Sequence, residues 1–348
     1  MLCRYADVLK GGADTATLSS AQGVNIPALP FPPFIPLEVD PPNHRDYRRI
    51  LNVPMAPERV QQDEGWIRSL AVDLLEQVMA DDQIDLVKAF AAPFPKTVAL
   101  RLVGYPTEDL QRIDNWVEHI VGEHKEREGA AELAAEFFGY LQQFVIDRRA
   151  AQQQNDLMGA LIDGQLNGEP LDDQTIIQML LLLTFGGLHT TTSAIAGMLL
   201  WLADHPEQRR VLREDSSLIP TAVDEFIRYT SPVNQMARTA VAESSLGGCP
   251  IKPGDKVLLA YGAANRDPDA FENPDEVALD RFPNRHLSFG AGVHRCVGSH
   301  YAKLMVRVAL EETLRLLGEF SVEDRSKLVW TGGEARGLRA LPIVRRAR

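Results

Sequence analysis

A cysteine near the end of the chain stands in a run of residues that could hold a flat ligand. Cys296 follows Gly290 and Gly292 and precedes Gly298, and an apolar pattern of helical spacing begins directly after it. It therefore lies just before a predicted helix N-terminus, where the helix dipole and backbone N–H groups favour a thiolate. Glycines let the backbone approach a flat partner closely. A thiolate held against a large ligand is the chemistry of haem ligation through cysteine.

Two simpler interpretations of Cys296 remain open on the residues alone. A single cysteine is more often a small buried apolar residue than a ligand. His286, His294 and His300 lie close to it in the sequence, which would suit zinc. Zinc ligands, however, are usually paired as C-x2-C or H-x3-H, and none of the spacings here fits well.

The second chemical feature lies inside a long apolar stretch. No charged side chain occurs from Ile176 to Ala203 if His189 is neutral, and Asp172 or Asp173 can cap a helix that we predict from Asp172 to Asp204. That length could span a membrane, but both flanks are acidic and no basic cluster sets an orientation. A helix that is apolar on all sides is otherwise the buried spine of a large domain, so we predict no membrane span.

The middle of this predicted helix contains a polar break. Gly186 and Gly187 each cost about 1 kcal/mol relative to alanine inside a helix, so a packing or functional reason is expected for them. The hydroxyl of Thr190 can bond to a carbonyl one turn back and open the helix locally. The result is a polar notch in an apolar wall, against which a flat ligand could lie.

Composition excludes several classes of function. The 348 residues carry a net charge of −12, which argues against a nucleic-acid binder held by phosphate contacts. The three cysteines are widely separated, which is typical of a reducing compartment. Residues 1–10 mix charged and apolar side chains, so we see no signal peptide and expect a cytoplasmic protein.

The stretch around Cys296 resembles the haem-thiolate loop of the cytochrome P450 family, whose pattern is F-x-x-G-x-[HR]-x-C-x-G. Phe289, Gly292, His294, Cys296 and Gly298 match every fixed place. Other motifs follow in family order, among them R-Y-x-D-V, D-P-P-x-H-x-x-x-R, E-x-x-R and A-N-R-D-P. The resemblance covers the chain from about residue 5 onward and is to the soluble bacterial type. A helix and the first strands that precede R-Y-x-D-V in the family are lacking here.

This resemblance implies a mainly α fold with small β-sheets (α+β), as one haem domain over residues 1–348. Haem b (iron protoporphyrin IX) would lie between the long central helix and the loop of Cys296, which would ligate the iron. The family pattern implies that His44, Arg48 and Arg238 reach the haem propionates, as suits an anionic cofactor. Further cofactor-binding positions implied are Gly186, Phe289, Gly290, His294, Cys296 and Gly298.

The family also has a buried ion cluster beneath the haem loop. Glu225 and Arg228 form its E-x-x-R pair, and Arg281 fits the place of its second arginine. From spacing alone, Glu225 and Arg228 could equally be an exposed pair that contributes little. The resemblance implies that the cluster pins the segment carrying Cys296.

The central helix departs from the family at one catalytic position. The family pattern is [AG]-G-x-[DE]-T, and Thr190 matches its threonine, but His189 stands in place of the acid. One hypothesis is that His189 takes over the proton relay, because imidazole titrates near neutrality. In the alternative, His189 points away and solvent supplies the protons.

The predicted substrate pocket is apolar. Its candidates are Phe34, Leu182, Phe185, Val233 and Met236, with a proline-rich loop over it and a last hairpin near Gly332–Leu338. These residues favour a small hydrophobic substrate. The resemblance implies a monooxygenase that inserts one oxygen atom from dioxygen.

No flavin or iron–sulfur segment is present in this sequence, so an external electron donor is implied. The donor would be a ferredoxin or flavodoxin with its reductase, and NAD(P)H would act only through that reductase. The alternatives are a peroxygenase that uses peroxide and a haem-thiolate sensor without turnover.

Overall fold

The computed structural model describes residues 1–29, 31–79, 83–120, 129–151, 155–332 and 336–346. The described part is mainly helical, as the sequence predicted. Its α-helices, numbered in chain order, are α1 Tyr5–Ala13, α2 His44–Asn52, α3 Pro57–Val78, α4 Pro93–Val103, α5 Leu110–Ile120, α6 Ala130–Ala150, α7 Leu157–Ile162, α8 Asp173–Leu188, α9 Thr190–Asp204, α10 Pro206–Glu214, α11 Ile219–Thr230, α12 Tyr261–Ala264 and α13 Ser299–Leu316.

The strands of the described residues form small antiparallel sheets. In chain order they are β1 Leu18–Ser19, β2 Gln83–Asp85, β3 Gln165–Leu166, β4 Glu169–Pro170, β5 Met236–Ala240, β6 Lys256–Leu259, β7 Glu319–Val322, β8 Val329–Trp330, β9 Leu338–Ala340 and β10 Pro342–Arg346. The strand orders are β1-β5-β6 and β2-β10-β7, with two further pairs, β3-β4 and β8-β9. The β8-β9 pair is the predicted last hairpin, and its residues 333–335 lie outside the described residues.

The predicted central helix is present as two helices, α8 and α9, that meet at His189. Asp172 caps the start, since its side chain accepts a hydrogen bond from the N–H of Thr175. By length and composition, the stretch from Asp173 to Asp204 could cross a membrane. Two thirds of its most apolar 18-residue segment, however, is buried inside the protein. The finding agrees with a core helix in a large domain.

Hydroxyl groups cluster at the break in this helix. The side chains of Thr190, Thr192 and Ser193 each donate to the carbonyl four residues earlier, at distances of 2.9 Å. Such bonds compete with the helical N–H donors for the same carbonyls and bend helices. The local opening that the sequence predicted at Thr190 is therefore supported by three side chains rather than one.

The two adjacent glycines of α8 serve different purposes. A Cβ on Gly187 would lie 2.7 Å from the Cβ of Ala99 in α4, so only glycine allows these two helices to pack this closely. A Cβ on Gly186 would meet no atom within 4 Å, because that face of the helix borders open space. Gly187 is thus a packing glycine, and Gly186 leaves room beside the helix.

We predict that Gly187→Ala destabilises the protein by about 1–3 kcal/mol, because the added methyl must push α8 away from α4. The measurement is urea unfolding of the purified protein. Gly139→Ala is the matched control: Gly139 lies in α6 with no atom near its added Cβ, and alanine should stabilise that helix by about 0.5–1 kcal/mol. An unchanged midpoint for Gly187→Ala would contradict the packing role.

Candidate active site

One cavity lies between the broken central helix and the loop of Cys296. Gly186 and Thr190 of the helix break line it, and so does Cys296 of the loop. The volume open to the centres of water molecules is about 270 Å³, well above the roughly 10–15 Å³ that a single water needs. All residues predicted to bind the cofactor line this cavity: His44, Arg48, Gly186, Arg238, Phe289, Gly290, His294, Cys296 and Gly298.

The backbone of the cysteine loop is held by its own hydrogen bonds and glycines. The N–H of Cys296 donates to the carbonyl of Phe289 at 2.8 Å, which closes the loop. Gly290 and Gly292 have φ values of +71° and +66°, which side chains rarely adopt. A Cβ on Gly292 would also lie 2.7 Å from the Cα of Ala13 in α1. These constraints turn the cysteine side chain toward the cavity.

The thiol of Cys296 is exposed to the cavity although it lies deep within the protein. Burial raises the pKa of this thiol, and the N–H of Gly298 together with Arg48 and Arg295 acts in the opposite direction. Among the described residues no group of three or more His, Cys, Asp and Glu side chains is placed to hold a metal ion. The zinc interpretation is therefore not supported, and Cys296 remains a single protein ligand.

Cationic side chains surround the cavity without carboxylate partners. Arg238 is buried, and its guanidinium donates to the carbonyl of Ala237 at 2.7 Å. Arg48 donates to the carbonyl of Arg295 at 2.8 Å. In the described part of the chain neither arginine forms an ion pair. Buried cations without counter-charges fit a ligand that carries its own negative charges.

Two histidines lie on the same side of the cavity as these arginines. The rings of His44 and His294 lie 4.5 Å apart between centroids, and Nε2 of His294 is 3.3 Å from the hydroxyl of Ser20. Burial and the nearby Arg238 lower the pKa of His294 to about 3. Its Nδ1 is buried with no partner among the described residues. This orphaned nitrogen and the unpaired arginines fit an anionic group bound in the cavity, as haem carboxylates would provide.

Of the two catalytic residues predicted on the central helix, Thr190 faces the cavity and His189 does not. Thr190 lines the cavity, and its hydroxyl donates to the carbonyl of Gly186 at 2.9 Å. His189 does not line the cavity; its Nδ1 faces the carboxylate of Glu118 in α5 at 3.7 Å. The His189 imidazole is therefore directed toward α5 and not into the cavity. A part for His189 in proton supply stays a prediction.

Some of the predicted substrate-pocket residues line the cavity and others do not. Leu182, Val233 and Met236 line the cavity, and Phe34 and Phe185 do not. The two phenylalanines pack against each other with centroids 5.7 Å apart, in an aromatic cluster with Phe31 and Phe137. Aromatic side chains gain from such edge contacts as well as from burial. Phe34 and Phe185 therefore lie in this aromatic cluster, and their part in substrate binding stays a prediction.

Several lining residues had no motif to reveal them. Leu102 and Val103 come from α4, whose sequence carries no recognisable signal. Tyr301 and Met305 come from α13 and were visible only as part of its apolar helical pattern. Their contribution depends on how α4 and α13 pack, which local sequence does not encode.

The predicted ion cluster lies beneath the cysteine loop and is buried. Arg228 donates two hydrogen bonds of 2.8 Å to the carboxylate of Glu225, and Arg281 donates another of 3.0 Å. Arg228 also binds the carbonyls of Asn265, Pro274 and Glu276. Although burial raises the pKa of Glu225, hydrogen bonds from Arg228, the N–H of Ala278 and Arg281 outweigh it and lower the pKa. The cluster therefore joins α11 to the segment that leads into the loop.

Comparison with known proteins agrees with this site. The sequence model described as Cytochrome P450 matches residues 107–328. Linalool 8-monooxygenase of Pseudomonas putida is 33% identical over 90% of this chain and 77% of its own. Polyketide biosynthesis cytochrome P450 PksS of Bacillus subtilis is 33% identical over 88% of this chain and 76% of its own. The crystal structure of the hydroxylase HmtN from himastatin biosynthesis has a TM-score of 0.89 at 31% identity, covering 99% of this chain and 90% of that one.

A thiol and unpaired arginines that line one cavity beneath a broken helix have the chemistry of a haem-thiolate site. Together with the matches above, it shows that this chain belongs to the cytochrome P450 family. The protein is a cytochrome P450 monooxygenase, and therefore an oxidoreductase. The cofactor of the family is haem, and the residues around the cavity fit it.

We predict that Glu225→Gln costs about 3–5 kcal/mol of stability, because Arg228 and Arg281 are left buried without a counter-charge. Unfolding in urea measures the loss. Glu207→Gln is the control, since Glu207 forms a solvent-exposed pair with Arg210 and its loss should leave the midpoint unchanged. Equal midpoints for both variants would contradict the pinning role of the buried cluster.

The pH dependence gives a second measurement on the same pair of proteins. The folded-state pKa of Glu225 lies below its ordinary value, so the ionised carboxylate stabilises the fold fully above that ordinary value, about 4.3. This stabilisation is lost as the pH falls through the lowered pKa. The difference in unfolding free energy between wild type and Glu225→Gln should therefore be largest near neutral pH and shrink on acidification. A difference independent of pH would contradict the assignment.

Proposed function

We propose that this monooxygenase inserts one oxygen atom from dioxygen into a small hydrophobic organic substrate, with electrons from a ferredoxin or flavodoxin and its reductase. The observation that carries the proposal is that Cys296 and the Gly186–Thr190 notch line the same apolar cavity. The Cys296 thiol supplies a metal ligand, and the Gly186–Thr190 notch supplies a polar site in an otherwise apolar lining. NAD(P)H would act only through the reductase.

In this proposal Cys296 would ligate the iron of haem b, and basic side chains around the cavity would hold its carboxylates. Arg238, Arg48 and His44 are the donors proposed for the propionates, and Gly186 leaves room for the ring beside α8. The bound haem supplies the activation of dioxygen, and the thiolate donates electron density that favours O–O cleavage. The protein contributes orientation and an apolar cavity that excludes water.

Thr190 is the proposed proton-handling residue within the cavity. Its hydroxyl donates to the carbonyl of Gly186, a bond that competes with the helical N–H donor for the same carbonyl. A hydroxyl can accept one hydrogen bond while it donates another, so Thr190 can also orient a water. His189 is next to it in the sequence and lies outside the cavity.

The substrate class follows from the lining. Leu182, Val233 and Met236 present apolar side chains near the notch, and few polar groups other than the cofactor donors face the cavity. Apolar pockets recognise substrates by burial and shape. Linalool 8-monooxygenase acts, by its name, on linalool, and that relative supports a substrate of this size and polarity. Which hydrophobic molecule binds here depends on the shape of this lining.

The electron donor is expected on the thiolate side. Arg295 directly precedes Cys296, is exposed, and lies with its guanidinium 5.9 Å from the ring centroid of Phe289. A cation at this place suits an acidic donor, because complementary charge guides association. We further propose that residues 1–348 form one haem domain that works in the cytoplasm with such a donor.

A second candidate function rests on His189. The acid of the family motif is missing, and the imidazole that replaces it lies outside the cavity. A protein that uses peroxide needs no delivery of protons to dioxygen, and a haem-thiolate sensor needs no turnover. Both remain alternatives to the monooxygenase reaction.

We predict that haem-loaded protein supplied with a surrogate ferredoxin, its reductase and NADPH consumes dioxygen and forms hydroxylated product from small terpenoid alcohols. Product analysis with labelled dioxygen measures the incorporation. Product formed only with peroxide would identify a peroxygenase, and absence of product under both conditions would favour the sensor. A ferrous carbonyl spectrum typical of histidine ligation in undenatured protein would contradict ligation by Cys296.

We predict that Thr190→Ala lowers the amount of product formed per reductant consumed by about tenfold or more, because a positioned proton-handling group is lost. Thr192→Ala is the matched control. Thr192 makes the same bond to a carbonyl four residues earlier but does not line the cavity. An equal loss in both variants would show that helix opening, rather than a hydroxyl in the cavity, is what matters.

A further inference from the structure

A group of charged side chains surrounds His189 on the side away from the cavity. Glu118 and Asp114 come from α5, Lys96 comes from α4, and Arg339 comes from β9. These elements are far apart in sequence and meet at the break between α8 and α9. The cluster lies outside the cavity, and its residues belong to none of the motifs found in the sequence apart from His189.

We propose that Glu118 is a positioning residue for proton supply: its carboxylate orients the His189 imidazole, which exchanges protons with the notch beside Thr190. The inference rests on the proposed function, because proton supply matters only if dioxygen is used. It assigns the missing acid of the central helix to a different helix, α5. The following observations support it.

The geometry of the pair suits an oriented imidazole. Nδ1 of His189 lies 3.7 Å from Oε1 of Glu118, which is slightly beyond hydrogen-bond distance. A small rotation of either side chain would close this gap. Nε2 of His189 is buried and has no partner among the described residues. One ring nitrogen is thus directed at a carboxylate, and the other is left open at the helix break.

The carboxylate is held in place from two other elements. Lys96 donates to Oε1 of Glu118 at 3.2 Å, and Arg339 donates to Oε2 at 2.8 Å. Lys96 also lies 2.6 Å from the carboxylate of Asp114. Side chains fixed by two charged partners lose little freedom when they orient a third group. Glu118 can therefore hold the imidazole in one orientation.

The charges of the cluster favour a neutral imidazole beside an ionised carboxylate. Burial lowers the pKa of His189, Lys96 and Arg339 lower it further, and Glu118 and Asp114 act in the opposite direction. Burial alone would raise the pKa of Glu118, but His189, Arg339 and Lys96 outweigh it and lower that pKa. An ionised carboxylate that orients a neutral imidazole is the arrangement of a general base.

The proton balance of the step is simple. With the Nδ1–H directed at Glu118, the free electron pair of the buried Nε2 accepts a proton that a water molecule relays from solvent to the helix break, and the ring becomes an imidazolium next to the carboxylate. The imidazolium then releases the same proton from Nε2 toward the water of the notch and returns to its neutral form. Glu118 stays ionised throughout, and no electrons are transferred.

The first measurement does not depend on turnover. The titration of the His189 ring is followed by NMR in the diamagnetic ferrous carbonyl form, in wild type, Glu118→Gln and Asp114→Asn. We expect a clear shift of the His189 titration to lower pH in Glu118→Gln, because the favourable negative charge nearest to the ring is lost. Asp114→Asn also removes one negative charge, but Asp114 pairs with Lys96 and acts less strongly on His189 than Glu118 does. This variant should therefore shift the His189 titration much less. Equal shifts, or none, would overturn the pairing.

The second measurement is the amount of product formed per reductant consumed, as a function of pH. We expect Glu118→Gln to lower it by about tenfold or more, and Asp114→Asn to leave it near the wild-type value. In a His189→Asn background, Glu118→Gln should cause no additional loss, because Glu118 acts through the imidazole. An additive loss, or a Glu118→Gln variant with wild-type yield and pH profile, would overturn the proposal.

Two controls separate the possible failures. If wild type forms no product with any donor, the proposed function fails, and the NMR titration still decides whether Glu118 and His189 are paired. If Glu118→Gln does not retain haem, Glu118→Asp takes its place in both measurements. That variant keeps a charge for Lys96 and Arg339 but draws the carboxylate away from His189, so the same shift and the same loss are expected, and their absence contradicts the proposal.

Discussion

The buried carboxylate of Glu225 is the interaction on which the rest of the site depends. It neutralises Arg228 and Arg281, and Arg228 in turn binds backbone carbonyls in the segment that leads to the cysteine loop. The amide oxygen of Asn265 accepts a hydrogen bond from Leu287 at the start of that loop. A loop rich in glycine has high conformational entropy when free. Charge-assisted bonds in the interior restrict it, so that Cys296 faces the cavity.

The opposite wall is shaped by competition between side-chain hydroxyls and backbone N–H groups. Thr190, Thr192 and Ser193 bind carbonyls of the preceding turn, and the helix is interrupted at His189 as a result. The break has two consequences. Thr190 reaches the cavity, and the adjacent His189 is turned toward α5 and its charged side chains. The same local distortion thus relates the polar notch inside to the charged cluster outside.

The sequence predicted the parts of the site that are determined locally. The glycine pattern around Cys296, the Glu225–Arg228 spacing and the opening at Thr190 are short-range features, and the structure places them as expected. Contacts between distant elements could not be predicted in this way. Phe34 and Phe185 are apolar and near the right elements, but their mutual packing takes them out of the cavity. Glu118 meets His189 only because α5 packs near the helix break.

The charge distribution indicates that binding of an anionic cofactor would contribute to the stability of the fold. The chain carries a net charge of −12, yet Arg238 is buried beside His294 and Arg48 with no carboxylate partner in the described residues. Cations buried close together repel one another and lose hydration. An anionic ligand that binds only the folded protein removes this penalty and stabilises the fold by mass action. The carboxylates of haem, the cofactor of the family, would supply the counter-charge that Arg238 and Arg48 lack among the described residues, and binding of that cofactor would then stabilise the fold.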